Sequence, residues 1–239
     1  MSASLAGRIV LVTGASRGIG AATALACAAQ GAHLVLLART RGGLEELDDR
    51  IQAAGGAATL VPMDLTQGDR IDALGASLFQ RFGRLDGWVS CAADPGLLTP
   101  VSHLDPPVLG RVLAVNLIAN QRLMRSLEPL LRAAPAGRAV LLTDGTGRDS
   151  AFFSAYASSK RALEALVRAW AAELRRTPIR INLVDPGPTA TRLRAHLFPG
   201  EDRARLAAPE AAAASVLPLL TADCIRHGEL VQGGAQSSA

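Results

Sequence analysis

The stretch Arg8–Gly20, RIVLVTGASRGIG, decides the fold. Its opening run, RIVLVT, is short, apolar and rich in β-branched residues, which predicts a buried strand over Arg8–Thr13. From Thr13 the chain reads TGASRGIG, with glycines at 14, 18 and 20. An alanine-rich helical pattern follows over Ile19–Gln30 and stops at Gly31. Glycines at these places permit a tight turn and let the backbone come close to a pyrophosphate. The start of the following helix offers unpaired N–H groups and the positive end of its dipole to that anion. A glycine loop that leaves a strand and opens a helix is the context in which this pattern binds a dinucleotide.

The same alternation continues outward from the loop. Strands are predicted at His33–Ala38, Thr59–Met63, Trp88–Ala92, Ala139–Thr143, Arg180–Val184 and Glu229–Val231. Between them lie helical patterns at Leu44–Ala54, Ile71–Phe82, Pro107–Leu131, Ala155–Arg175 and Pro209–Leu220, the third bent at Asn116 and near Pro129. Strands separated by helices of this length imply βαβ units and a parallel sheet covered on both faces, an α/β fold. No linker, repeat or low-complexity tract divides the chain, so residues 1–239 read as one domain. The least ordered parts are expected at Thr189–Ala208, a lid over a substrate, and in the tail 233–239.

Composition narrows the function. Hydrophobic residues make up 49% and charged residues 19%, which suits a compact soluble protein; aromatics are only 3%, so alanine, leucine and valine must fill the core. The net charge of +4 is carried by scattered arginines without a block of like charge, which argues for an anionic ligand and against nucleic acid. Cys27, Cys91 and Cys224 are odd in number and far apart, and read as reduced thiols, not as a disulfide frame or metal site. The amino terminus has no basic segment before its apolar run, and that run is too short to span a bilayer. No signal peptide and no membrane contact are expected, and the protein reads as cytoplasmic.

At the end of the second strand, an acidic residue would hydrogen-bond the ribose 2′-hydroxyl of NAD. This chain has LLARTR instead, with Arg39 at the strand end and Arg17 in the glycine loop as a second cation. A guanidinium fork matches a 2′-phosphate, so NADP is favoured, with NAD as the alternative.

Residues 154–160 read SAYASSK. Tyr156 is the only tyrosine and Lys160 the only lysine, every other one of the 25 basic residues being arginine. Four residues apart on a helix, their side chains project from one face. A cation beside a phenol favours its ionised form and lowers its pKa, and a tyrosine so tuned can exchange a proton with a carbonyl or alcohol oxygen. A compact ammonium can also hold a ribose hydroxyl, which an arginine fork does less well.

Taken together, TGASRGIG, MDLT at 63–66, AVNL at 114–117, YASSK at 156–160 and DPGPTAT at 185–191 resemble the short-chain dehydrogenase/reductase family in order and spacing, over nearly the whole chain. The resemblance implies a seven-stranded Rossmann sheet and an NAD(P)(H)-dependent oxidoreductase acting on a small carbonyl or alcohol. It implies Tyr156 as acid and base, Lys160 lowering its pKa and holding the nicotinamide ribose, and Asn116 supporting a water-mediated proton relay. Cofactor contacts are implied at Gly14, Ser16, Arg17, Gly18, Ile19, Gly20, Arg39, Asp64, Leu65, Ala92, Tyr156, Lys160, Pro186, Gly187, Thr189 and Thr191, with Asp64 near the adenine and Thr189 and Thr191 on the nicotinamide side. The helices over 107–131 and 155–175 resemble the family's assembly helices, so a homodimer or homotetramer is expected; the second carries Ala162, Ala165, Leu166, Ala169 and Trp170.

Two places depart from the family pattern. SCAAD puts Cys91 and Ala93 where Asn and Gly are usual, which reads as a compensated packing change. The serine usual at the end of the fifth strand is replaced within LLTDGTGRDS. Motif alignment puts Asp144 there, and spacing from Tyr156 puts Thr143 there. Thr143 would keep a hydroxyl donor. An ionised Asp144 only accepts hydrogen bonds, would repel a developing alkoxide and would raise the pKa of Tyr156. These changes leave a second reading open, a dinucleotide-binding protein with little catalysis, against which the retained Tyr156 and Lys160 argue. Ser154 is a substitute hydroxyl or a helix cap. His33, His103, His196 and His227 lack ligand spacing and read as structural or exposed. Phe152, Phe153, Leu97, Leu98, Leu193, Leu197 and Phe198 fall in segments that could wall an apolar pocket.

Overall fold

Neighbouring residues on the central strands point to opposite faces, and this sorts the core into two layers. The computed structural model describes residues 5–145 and 150–233. Along β1 (Ile9–Thr13), Leu11 faces one layer while Val10 and Val12 face the other. The remaining strands are β2 (His33–Ala38), β3 (Ala57–Pro62), β4 (Gly87–Ser90), β5 (Arg138–Leu142), β6 (Arg180–Asp185) and β7 (Leu230–Gln232). They form one seven-stranded parallel sheet in the order β3-β2-β1-β4-β5-β6-β7. The expected Rossmann architecture is therefore present.

The helices cover both faces. On one side lie α1 (Gly18–Ala29), α2 (Arg41–Ala53) and α8 (Pro209–Val216), closing over Leu34, Leu36, Val89, Val140 and Val184. On the other lie α3 (Gly68–Phe82), α5 (Ala119–Ala133) and α6 (Ser154–Leu174), packed over Val35, Leu37, Trp88, Leu141 and Ile181. Trp170 belongs to this second layer, its ring centre 6.1 Å from that of Trp88 and its indole N–H donated to Glu128 at 2.7 Å. It is therefore not on the open face of α6, where Ala165 and Ala169 remain exposed. No helix among the described residues is long and apolar enough to cross a membrane.

The helix expected over 107–131 is three pieces. After α4 (Pro106–Leu113) the chain widens into a single π turn, Ala114–Ile118, and resumes as α5. The widened turn closes with the Ala119 N–H on the Ala114 carbonyl. The Asn116 carbonyl is taken up by the Asn120 side chain at 2.9 Å. The bend expected at Asn116 thus has a defined cause, and it re-aims the Asn116 side chain.

The segment Thr189–Ala208, expected to be among the least ordered, is folded. It contains α7 (Arg192–Leu197) and is tied back by an Ala190 N–H to Ala207 carbonyl bond of 2.9 Å. Glu201 accepts two bonds from Arg194, each 2.6 Å, and the Arg194 guanidinium lies 3.8 Å from the centre of the Phe198 ring. A forked ion pair stacked on an aromatic ring supplies the order that loop composition does not suggest. Of the tail expected at 233–239, residues 234–239 lie outside the described residues.

From β1 the chain runs outward through β2 to β3 and then crosses back to β4, leaving a crevice at the carboxyl ends of β1 and β4. Gly14 sits at that divide with φ +69°, and a Cβ there would lie 2.7 Å from the Ala92 nitrogen. Gly14→Ala should cost more than about 2 kcal/mol, combining a left-handed backbone with a backbone collision. Gly110, exposed in α4 with nothing within 4 Å of where a Cβ would stand, is the control, and Gly110→Ala should stabilise by about 1 kcal/mol. Urea midpoints of the two variants measure both; equal shifts would contradict the assignment.

Candidate active site

The crevice opens into a cleft of about 410 Å³. The glycine loop forms one wall. Gly18 has φ +55°, and a Cβ on Gly20 would run into the Gly14 carbonyl. Glycine at these positions lets the loop backbone come close to a ligand. Arg17 holds the N-cap position of α1 in extended backbone without a side-chain cap, so the first N–H groups of α1 have no capping oxygen among its side chains. A glycine cradle at an uncapped helix start fits a pyrophosphate.

At the far end of the cleft stand Arg39, directly after β2, and Arg17, both exposed. Asp64 and Leu65 line the same end. The Asp64 carboxylate accepts from the Thr66 N–H at 2.8 Å and the Thr66 hydroxyl at 2.9 Å. The Thr66 N–H first, then the Thr66 hydroxyl and the charge of Arg39, hold it below the usual carboxylate range.

The opposite wall comes from β4, β5, α6 and the segment after β6. It brings Ala92, Asp144, Tyr156, Lys160, Pro186, Gly187, Thr189 and Thr191 onto the cleft. Thr191 uses its hydroxyl to cap α7, accepting from the Arg194 N–H at 3.1 Å. Lys160 is buried and donates to the Leu142 carbonyl at 2.9 Å, with its Nζ 5.8 Å from the centre of the Tyr156 ring.

Between the two candidates for the serine's place, the geometry is unambiguous. The Tyr156 hydroxyl donates to Asp144 Oδ2 at 3.0 Å. Thr143 also lines the cleft, but it is buried and donates its hydroxyl to Glu164 at 2.7 Å. Thr143 is thereby corrected as the candidate hydroxyl: it lies one step along the chain from Asp144 and faces α6. Ser154 neither caps α6 nor reaches Tyr156, and its hydroxyl has no hydrogen-bond partner among the described residues.

The expectation of a tyrosine made more acidic is also corrected. Burial first, then the charge of Asp144 and its hydrogen bond, and then Asp185, push Tyr156 well above its usual value of 10.0, with only Arg194 pulling the other way. Burial likewise pulls Lys160 down from its usual value, against the charges of Asp144, Cys91, Asp185 and Glu164.

Asn116 is fully buried behind this wall and does not line the cleft. Its amide clamps the loop after β4, accepting from the Asp94 N–H at 2.7 Å and donating to the Asp94 carbonyl and to the Ser159 hydroxyl, both at 2.9 Å. Ala93 packs its methyl against the cluster of Phe153, Tyr156 and Leu197, so the unusual SCAAD stretch is absorbed by packing. Leu193 and Phe198 join that apolar cluster; Phe152, Leu97 and Leu98 are exposed.

Several residues at the site were not among the expected site residues. Asp185 accepts from Gly145 N–H at 3.0 Å and from Gly187 N–H at 3.1 Å, tying the ends of β5 and β6 together. His196 lies on the cleft, its Nε2 3.1 Å from the Gly96 carbonyl. Arg194 reaches the site only through the fold of the 189–208 segment. A buried acid such as Glu164, one turn beyond Lys160 on the core face of α6, was the available hint that Thr143 has a structural partner.

A sequence profile of the short chain dehydrogenases matches residues 8–202. The chain is 34% identical over 216 residues to YciK, an uncharacterized oxidoreductase of Escherichia coli, covering 89% of this chain and 84% of the relative. A solved short chain dehydrogenase from Pseudomonas syringae shares 36% identity with a TM-score of 0.93, over 97% of this chain and 96% of that one. Another, from Shigella flexneri and complexed with NADP, shares 31% identity with a TM-score of 0.92, over 97% and 99%.

Tyr156 is the only tyrosine, so the ultraviolet absorbance of tyrosinate reads it directly. Its folded value lies above the unfolded value of about 10, so the native protein should show no tyrosinate as pH reaches 10, and stability should fall as pH rises beyond it. Asp144→Asn removes one cause of the upward shift, after burial, and should bring the titration to lower pH. An unmoved titration would show that the carboxylate does not act on the hydroxyl.

Proposed function

The chain belongs to the short-chain dehydrogenase/reductase family of oxidoreductases, and from that premise we propose that it transfers a hydride between NADP(H) and a small molecule with a polar unsaturated group, a carbonyl or its alcohol in the simplest case. The observation that carries the reading is the Tyr156 hydroxyl on the cleft wall opposite the glycine loop, with the Lys160 ammonium alongside. When bound, the nicotinamide would supply or accept the hydride.

In this reading the chain's own groups do the rest. The loop Gly14–Gly20 and the start of α1 hold the pyrophosphate, and Arg39 with Arg17 faces the 2′-phosphate. Asp64 and Leu65 border the adenine, and the turn Pro186–Thr191 borders the nicotinamide side. Lys160, fixed by the Leu142 carbonyl, holds a ribose hydroxyl. Tyr156 exchanges the proton at the reacting group. Asn116 acts behind the wall by fixing the Asp94 backbone, and so the shape of the loop that borders the substrate. The NADP-complexed Shigella relative supports the choice of dinucleotide.

Turnover of a panel of carbonyl compounds with NADPH tests the reading. Tyr156→Phe should retain NADPH binding and lower kcat by about 10²–10⁴-fold. Binding of NADPH without turnover of any unsaturated substrate would favour a dinucleotide-binding role instead. Arg39→Asp should weaken NADPH at least about tenfold more than NADH, because a carboxylate repels the 2′-phosphate and accepts from a 2′-hydroxyl. Equal losses in a fluorescence titration of the two cofactors would show that Arg39 does not read that group.

A further inference from the structure

Resting on that hydride-transfer reading, we propose that Arg192 is a further cofactor-binding residue, the cation that meets the pyrophosphate from the wall opposite the glycine loop. Two walls of the cleft come together at this point. Gly18 opens α1 with φ +55°, and a Cβ on it would stand 3.3 Å from the Thr191 side chain. The segment after β6 therefore lies against the glycine loop at the start of α1. Arg192 follows Thr191 directly, as the first residue of α7; it lines the cleft and is exposed. The turn before it fixes its place. The Thr191 N–H is donated to the Thr189 carbonyl at 2.8 Å, and the Thr191 hydroxyl accepts from the Arg194 N–H at 3.1 Å.

Charge decides what a residue in that place does. A glycine cradle offers a pyrophosphate N–H groups but no formal positive charge, and a guanidinium adds charge-assisted hydrogen bonds to phosphate oxygens. On the glycine-loop side the cations are Arg17 and Arg39, at the end of the cleft that suits a 2′-phosphate. On the opposite wall the other cations are committed. Lys160 is buried and donates to the Leu142 carbonyl. Arg194 grips Glu201 through two bonds of 2.6 Å and lies over the Phe198 ring. Arg205 pairs with Asp202 at 3.6 Å, so both acids of the 189–208 segment face other arginines. The Arg192 side chain makes no hydrogen bond or ion pair among the described residues. It is the uncommitted cation of this wall, next to the residue that touches Gly18. The same short helix carries Leu193 and Leu197, which pack in the cluster around Tyr156. A bond from Arg192 to the pyrophosphate thus ties the apolar wall beside Tyr156 to the bound dinucleotide.

Fluorescence titration of NADPH and of NADH tests the assignment, because the two share the pyrophosphate and differ in the 2′-phosphate. Arg192→Ala should weaken both by the same factor, about tenfold, where Arg39→Asp separates them. Arg192→Glu should weaken both further. Arg192→Lys keeps the charge without the fork and should fall between the wild type and Arg192→Ala. Competition against NADPH by 2′-AMP, which has the 2′-phosphate but no pyrophosphate, completes the test. Arg39→Asp should weaken 2′-AMP, and Arg192→Ala should leave it unchanged. That selectivity also separates a lost contact from a folding defect, which would weaken 2′-AMP as well. Unchanged NADPH affinity in Arg192→Glu would overturn the proposal. So would a loss shared by NADPH and 2′-AMP, which would put the guanidinium at the 2′-phosphate. A wild type that binds no dinucleotide would instead count against the hydride-transfer reading.

Discussion

No side chain fits between Gly14 and the backbone of Ala92, and the rest of the site depends on that closeness. The two backbones meet where β1 and β4 part, the place at which strand order reverses. A parallel sheet that winds both ways from its first strand must leave a crevice there, because the crossovers leave in opposite directions. Whether the crevice can hold a dinucleotide is then decided by how close the backbones come to it. The left-handed turn at Gly14 and the contact of Gly20 with the Gly14 carbonyl set the depth of the cradle. They also set the angle at which α1 presents its first N–H groups to a ligand.

The opposite wall is positioned by polar groups that never touch the cleft. The π turn costs one regular hydrogen bond and in return aims the Asn116 amide at both backbone groups of Asp94. The freed Asn116 carbonyl is covered by Asn120, whose own oxygen accepts from Ser90 at 2.6 Å at the end of β4. Asp94 continues the chain, its carboxylate holding the Gly96 N–H and the Arg111 guanidinium. The Gly96 carbonyl meets His196 of α7. Sheet, helix bend, loop and the 189–208 segment thus form one connected polar path, each member satisfied by the next, which is what buried polar groups require. In this chain the usual Asn-Ala-Gly after β4 is absent, and the Asn116–Asp94 clamp is what fixes the loop.

Much of this was legible in the sequence because it follows from local pattern. The strand and helix alternation, the loop at Thr13–Gly20, and the pairing of Tyr156 with Lys160 are set by hydrophobic period, glycine placement and i,i+4 spacing. What was not legible depends on partners distant in the chain. Thr143 and Asp144 are adjacent, and counting from Tyr156 cannot choose between them; the choice is made by Glu164, which claims the Thr143 hydroxyl from across the helix. The order of the 189–208 segment rests on Arg194, Glu201 and Phe198 meeting in space, in a stretch whose composition reads as loop. Trp170 falls on an alanine-rich helix that reads as open, and only the position of Trp88 on β4 shows that it is core.

The acidity expected of Tyr156 failed for a related reason, and the failure explains why a carboxylate is tolerable beside it. Spacing shows that a lysine is near the tyrosine; it does not show how deeply both are buried. Burial opposes the ammonium of Lys160 as much as it opposes a phenolate, so a lysine sealed under Leu142 tends towards its neutral form. A serine at the end of β5 would leave that tendency in place. Asp144 opposes it, as do Asp185 and Glu164, acids from the loop after β5, the end of β6 and α6 itself. The Asp144 charge that favours the Lys160 cation also opposes ionisation of Tyr156. The site is left with the Tyr156 phenol donating to Asp144 on the cleft wall.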